Sequence, residues 1–209
     1  MIVIGLTGSI GMGKTDTARI FKRLGVAVFD SDAEVHRLTR SGGAALAAIK
    51  VAFPDTVNDG QLDRARLGEE IFANNAKRKT IENILHPMVR RAQRRFLFRW
   101  ARRGACAALI DVPLLFESRL ERFFDQVITV SAAPHIQRQR VLARPDMTEE
   151  KLERILNAQL PDLEKRKRAD FVIDTGRGRG PVYCGVRSLL RYWKTKRGGA
   201  LRRWRRNRA

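Results

Sequence analysis

Gly8-Ser9-Ile10-Gly11-Met12-Gly13-Lys14-Thr15 comes one residue after the apolar run Ile2-Val3-Ile4-Gly5-Leu6. The octet fits a phosphate-binding loop: a glycine, four free positions, then Gly-Lys-Thr. The physical demands are specific. Glycines let successive backbone N–H groups turn inward around a phosphate, Lys14 neutralises its charge, and the Thr15 hydroxyl can reach Mg²⁺. A helix after the loop points its positive end at the same anion. Both flanks that this reading needs are present. The run before the loop reads as a buried strand, and Thr17 to Leu24 carries apolar residues at helical spacing and ends at Gly25, a C-cap residue.

Working outward, Val26 to Phe29 reads as a second buried strand ending at Asp30-Ser31-Asp32, so strand, loop, helix and strand form a βαβ unit. Residues 33 to 104 read as mainly helical, with few strand signals and an arginine-rich amphipathic stretch from Met88 to Arg103 that closes at Gly104. Ala107 to Pro113, Gln126 to Val130 and Phe171 to Asp174 read as a third, fourth and fifth strand. Short β-branched runs separated by helices predict an α/β fold with a doubly wound parallel sheet of about five strands. Ligands then lie at the carboxyl ends of the strands, which brings the phosphate loop, Asp32 and Asp111 towards one crevice.

The 209 residues are 44% hydrophobic, enough for a real core, and the disordered class is excluded. Cys106 and Cys184 form no C-x-x-C pair, which indicates neither a disulfide framework nor a zinc site and fits a reducing cytosol. Apolar runs are too short for a membrane span, and a core strand at the amino terminus argues against a signal peptide. The net charge of +20 raises a nucleic-acid hypothesis, but twelve Lys/Arg and no Asp/Glu lie between Thr175 and Ala209, which leaves +8 on the rest. A basic tail over 176–209 reads as a solvated or disordered end, the commoner case, or as a weak contact for an anionic partner such as RNA or a membrane surface.

Phosphoryl transfer needs charge neutralisation, in-line positioning, and a group that takes the proton of the attacking hydroxyl. Lys14 and Mg²⁺ at Thr15 cover the β- and γ-phosphates of a nucleoside triphosphate. Asp32 is the candidate base. Asp30 lies two residues earlier, so both carboxylates share one face if the strand continues, and one of them can organise metal-bound water instead. Ser31 and Asp32 could equally cap a turn or helix. Arg140 and Arg144, four residues apart in Pro134 to Pro145, fall on one helical face and could clamp a polyphosphate as a lid, although the same pattern without a phosphate loop is a wet helix surface. Thr148 reads as the N-cap of a new helix with Glu149 and Glu150 in its first turn.

These blocks, together with Leu85-His86-Pro87, Asp111-Val112-Pro113-Leu114-Leu115-Phe116-Glu117, Gln137, Gln159 and Ala169 to Asp174, resemble one family, the dephospho-CoA kinases, over residues 1 to about 175. These are P-loop enzymes that phosphorylate the ribose 3′-hydroxyl of dephospho-coenzyme A. The resemblance implies a P-loop NTPase-type domain over 1–175, a helical CoA-binding insertion at about 33–104 and a lid at about 137–160. It implies ATP with Mg²⁺, a cytoplasmic location, and ATP binding by Gly11, Met12, Gly13, Lys14, Thr15, Asp16 and Arg144. It further implies Asp32 as the base facing the acceptor, Arg140 as the group that stabilises the transferring phosphoryl, and Leu114 near the acceptor. Two features depart from the pattern. Asp16 stands where Ser or Thr is usual, and its carboxylate is expected to weaken ATP binding modestly; the tail beyond Gly176 has no family counterpart. The rival readings are a kinase acting on a nucleoside monophosphate and a nucleic-acid-binding protein with a regulatory phosphate loop.

Overall fold

The computed structural model describes residues 1–72 and 74–206. By their internal contacts these divide into two units: Met1–Phe29 together with the chain from Leu97 onward, and Asp30–Phe96.

The first unit is built on a five-stranded sheet of β1 (Ile2–Thr7), β2 (Ala27–Asp30), β5 (Ala107–Asp111), β6 (Gln126–Ser131) and β7 (Phe171–Asp174), in the order β2-β5-β1-β6-β7. β1 is buried at all six positions and lies in the middle, paired in parallel with β5 (Ile2 opposite Ala107, Leu6 opposite Asp111) and with β6 (Leu6 opposite Ile128). A strand covered on both faces must be apolar throughout, which is why β1 reads as a continuous run rather than an alternating one. One face of the sheet packs on α1 (Lys14–Arg23) through Ile4, Leu6, Phe21, Leu109 and Ile128. The central strand points to the phosphate loop at its carboxyl end, with parallel neighbours on either side.

Among the described residues, those after β7 form two helices, contrary to the solvated end expected from the charge of this segment. α9 (Arg179–Lys194) buries Val182, Val186 and Trp193, and the Trp193 ring stacks 6.2 Å from Phe21. α10 (Ala200–Arg206) buries Trp204, whose Nε1 donates to the Phe123 carbonyl at 2.7 Å. Asp125 fastens this last helix to the first strand: one carboxylate oxygen accepts from the Gly199 and Ala200 N–H groups at 2.7 and 2.6 Å, the other from Val3 N–H at 2.9 Å. Gly198 lies so close to Met1, Ile2 and Asp125 that a Cβ there has no room.

The second unit contains α2 (Ser31–Leu38), α3 (Leu46–Ala52), a hairpin of β3 (Val57–Asn58) and β4 (Gln61–Leu62), α4 (Arg64–Phe72) and most of α5 (Asn75–Arg102), around Leu38, Ile49, Phe53, Val57, Leu67 and Ile81. It is mainly helical as expected, but the hairpin is new. Asp59 and Gly60 both have positive φ, 48° and 71°, as a two-residue turn matching the twist of paired strands requires. α5 starts well before Met88 and runs through Pro87. Between α1 and α9 the chain also forms α6 (Pro134–Leu142), α7 (Glu149–Asn157) and α8 (Asp162–Arg168) in the first unit.

Candidate active site

The phosphate loop leaves β1 at Thr7 and enters α1 at Lys14. Gly11 and Gly13 have φ of 76° and 83°, the left-handed region where a side chain is strained. Space forbids one too: a Cβ on Gly11 would meet Val141 and, at 3.0 Å, the Gln137 carbonyl, and one on Gly13 would meet Thr175 at 3.0 Å. Glycine is needed here because α6 and the turn after β7 press on the loop from behind.

Hydrogen bonds hold the loop in shape. Ile10 is gripped on both sides of its backbone, its carbonyl accepting from Gln137 Nε2 at 2.7 Å and its N–H donating to Gln159 Oε1 at 3.1 Å. Met12 N–H donates to the Ser9 carbonyl at 3.2 Å, and the Met12 carbonyl accepts from the Thr175 hydroxyl at 2.9 Å. Ile10 and Met12 spend their amides on protein partners, whereas those of Lys14, Thr15 and Asp16 in the first turn of α1 are the ones that helix geometry leaves without an intrahelical acceptor, and with the glycine amides of the loop they suit an anion.

Lys14 Nζ lies 2.5 Å from Asp111 Oδ1, with side-chain exposures of 16% and 7%. Asp111 is the last residue of β5, and the turn after it is tied back to β1 by Val112 N–H to the Leu6 carbonyl and by the Thr7 hydroxyl to the Pro113 carbonyl, both at 2.9 Å. Leu114, on that turn, is 44% exposed. Arg140, from α6, donates through Nη1 to the Thr175 hydroxyl at 3.0 Å and through Nη2 to the Thr175 carbonyl at 2.8 Å, with Nη1 also 3.5 Å from the Gly11 carbonyl. The site therefore gathers the phosphate loop, Lys14, Asp111 and Arg140 at the carboxyl ends of β1, β5, β6 and β7.

Three sequence expectations change. α6 ends at Leu142, so Arg144 stands beyond the helix on an exposed turn and the four-residue spacing does not put it on one helical face with Arg140. β2 ends at Asp30, so Asp30 and Asp32 do not share a strand face. Asp30 is the N-cap of α2, its carboxylate accepting from Ala33 N–H at 2.9 Å, and the cap role weighed for Ser31 and Asp32 falls to it; Asp32 is exposed in the first turn. Asp16, expected to repel the ligand, has exposed ion-pair partners that the sequence reading did not include, Arg19 at 3.1 Å and Arg179 at 3.6 Å. Thr148 does cap α7, accepting from Lys151 N–H at 3.3 Å, and its hydroxyl holds the Glu150 carboxyl below the usual carboxylate range. Glu149 pairs with Arg138, joining α7 to α6.

Thr175 escaped the sequence reading, as did the grip of Gln137 and Gln159 on the loop. A signal for Thr175 existed: it immediately follows β7 and so falls at the ligand-binding edge of the sheet by the same rule that singles out Asp111.

A parallel sheet with this loop at its central strand, a lysine in the loop and an arginine from a helix above it defines a P-loop phosphotransferase. The model of the dephospho-CoA kinase family matches residues 2–178. Relatives named dephospho-CoA kinase include one from Agrobacterium fabrum, 53% identical over 91% of this chain and 97% of its own, and one from Rhodopseudomonas palustris strain HaA2, 49% identical over 91% and 94%. Among solved structures, TT1252 from Thermus thermophilus superposes with a TM-score of 0.80 at 31% identity over 91% of this chain and 97% of its own. The dephospho-CoA kinase of Campylobacter jejuni, at TM-score 0.61 and 21% identity over 91% and 96%, shares the fold. The chain belongs to the dephospho-CoA kinase family.

Proposed function

We propose a division of labour for the family's reaction, the ATP-dependent phosphorylation of the ribose 3′-hydroxyl of dephospho-CoA to coenzyme A and ADP. The amides at the start of α1 and the Lys14 ammonium bind the phosphates of ATP, with Gly11, Met12, Gly13, Thr15 and Asp16 completing the loop. Asp32 accepts the proton of the acceptor hydroxyl as its oxygen bonds to the γ-phosphorus and the bond to the β–γ bridging oxygen breaks, releasing ADP. Arg140 neutralises charge on the phosphoryl group in flight. Its guanidinium has five N–H donors, so the two nitrogens held by Thr175 still leave donors for a phosphate oxygen.

The hydroxyl of exposed Thr15 in the first turn of α1 and the carboxylate of Asp111 against Lys14 are hard oxygen donors of the kind that Mg²⁺ takes, and would hold the ion. When bound, the ion lowers the negative charge that an attacking oxygen must approach. Leu114, apolar and exposed on the turn after β5, suits a contact with the acceptor, and residues 33–104 suit the CoA-binding part. Arg144 remains a candidate ATP contact from the turn after α6, where α6, that turn and α7 compose the proposed lid.

Cytoplasmic action belongs to the same proposal; no helix among the described residues is long and apolar enough to cross a membrane. A weak anionic contact for the basic segment is proposed through arginines on the outer sides of α9 and α10.

The observation that carries the reading is the 2.5 Å Lys14–Asp111 pair at the foot of a loop braced by α6 and Thr175. The test is a competition among acceptors with labelled ATP. Label is expected in coenzyme A, and transfer to a nucleoside monophosphate but not to dephospho-CoA refutes the substrate assignment.

A further inference from the structure

Lys165 is 0% exposed, yet nothing in the phosphoryl-transfer scheme uses it. Its Nζ lies 2.8 Å from Glu117 Oε1, and that oxygen also accepts the Leu160 backbone N–H at 2.9 Å. Burying an ammonium and a carboxylate carries a heavy desolvation penalty, and an apolar pair of similar volume would pack as well or better. The pair is not fully satisfied: Lys165 Nζ and Glu117 Oε2 are both buried without a hydrogen-bond partner among the described residues, so the ammonium meets Glu117, itself 19% exposed, as an ion pair alone. A stability role accounts poorly for such an arrangement, whereas fixing the geometry of something attached to it accounts well.

What is attached is the phosphate loop. Leu160 follows Gln159, whose Oε1 takes the Ile10 N–H, while Gln137 Nε2 holds the Ile10 carbonyl from the other end of the α6–α7 segment. The support beneath is rigid: α8 is fastened to β6 by the Ser131 hydroxyl donating to Asp162 Oδ2 at 2.6 Å and by the Thr129 hydroxyl donating to the Lys165 carbonyl at 3.3 Å. Glu117 comes from the turn after β5. Two anchored elements thus meet at the Leu160 peptide and hold it in register with Ile10.

We propose that the buried Lys165–Glu117 pair is a positioning device for the phosphate loop, acting through Leu160 and Gln159 on the Ile10 peptide. Lys165 and Glu117 touch no substrate; they set the path of the backbone on which Gln159 stands. Turning the Ile10 amide onto Gln159 keeps it out of the anion site and leaves the helix-terminal amides aimed at the triphosphate. The effect therefore falls on ATP binding and spares both the acceptor and the chemical step.

The experiment compares Gln159→Leu, Lys165→Met and their double variant in the full-length enzyme, reading KM for ATP, KM for dephospho-CoA, kcat, and calorimetric ATP affinity. Each single variant is expected to raise KM for ATP about tenfold, the size of one lost net hydrogen bond, with kcat and the acceptor KM within about twofold. Because both act through one chain of contacts, the double variant should be no worse than the poorer single. Native KM for ATP in a folded Lys165→Met, a fall in kcat at unchanged KM, or multiplicative losses in the double variant would each overturn the proposal. Should Lys165→Met not fold, Glu117→Gln, which keeps an acceptor for Leu160 N–H, should bind ATP more tightly than Glu117→Ala, and equal affinities would count against it. The inference rests on ATP occupying this loop. Lys14→Ala is the separate control, losing ATP binding whatever the Lys165 variants do.

Discussion

Valine at position 175 keeps the volume of threonine and removes only its hydroxyl, which ties three parts of the site together. Thr175 is 6% exposed; its hydroxyl donates to the Met12 carbonyl at 2.9 Å and accepts from Arg140 at 3.0 Å. In the valine variant the Met12 carbonyl loses this donor in a buried place, which costs about 1–3 kcal/mol. Arg140 retains its 2.8 Å bond to the Thr175 carbonyl and can turn its other nitrogen to water, so its share is small, about 0.5 kcal/mol. Thr175→Val should therefore lower unfolding free energy by about 2 kcal/mol, read from urea denaturation at constant m. The freed Met12–Gly13 peptide lies in the loop itself, so ATP affinity should fall about tenfold if about 1.4 kcal/mol of reordering is needed on binding. Thr175→Ser keeps the hydroxyl and loses one buried methyl, so it should cost about 1 kcal/mol of stability and leave ATP affinity near that of the parent. A valine variant as stable and as tight for ATP as the parent, or a serine variant equally impaired, would refute the hub role of this hydroxyl.

Asp32→Asn should slow phosphoryl transfer by about 10²- to 10⁴-fold in single-turnover measurements while ATP affinity changes little; an unchanged transfer rate removes Asp32 as the base. Trp204→Ala should cost about 3–5 kcal/mol of stability by denaturant titration, since the ring is 5% exposed against Phe123 and its N–H bond to the Phe123 carbonyl is lost. The folded fraction of that variant should keep its kcat, because α10 contributes no group to the site.

The sheet was legible because parallel strands buried on both faces announce themselves as apolar runs, and the phosphate loop because its chemistry constrains four positions within eight residues. The hairpin at Val57 to Leu62 was overlooked for its brevity, although Asp59-Gly60 is the dipeptide that a two-residue hairpin turn favours. The tail was misjudged by summing charge. Val182, Val186 and Trp193 recur at helical spacing beneath the arginines, and burying such a stripe favours an ordered helix that net charge alone argues against. At the site, Lys14 and Arg140 were visible as charged residues in suggestive places. Arg144 lies only two residues past the end of α6 and just before Pro145, a helix boundary that spacing alone does not fix. Gln137, Gln159 and Thr175 reach the phosphate loop by hydrogen bonds across more than a hundred residues, and only folding brings such partners within reach.

Since Asp125 stitches the chain's opening strand to its final helix, cutting at residue 176 would strip a wall from the hydrophobic interior rather than trim an appendage. Any search for a polyanion ligand of the arginine-rich stretch is accordingly better made by reversing surface charges at Arg187 and Arg191 than by amputation, which would confuse lost affinity with collapse of the scaffold.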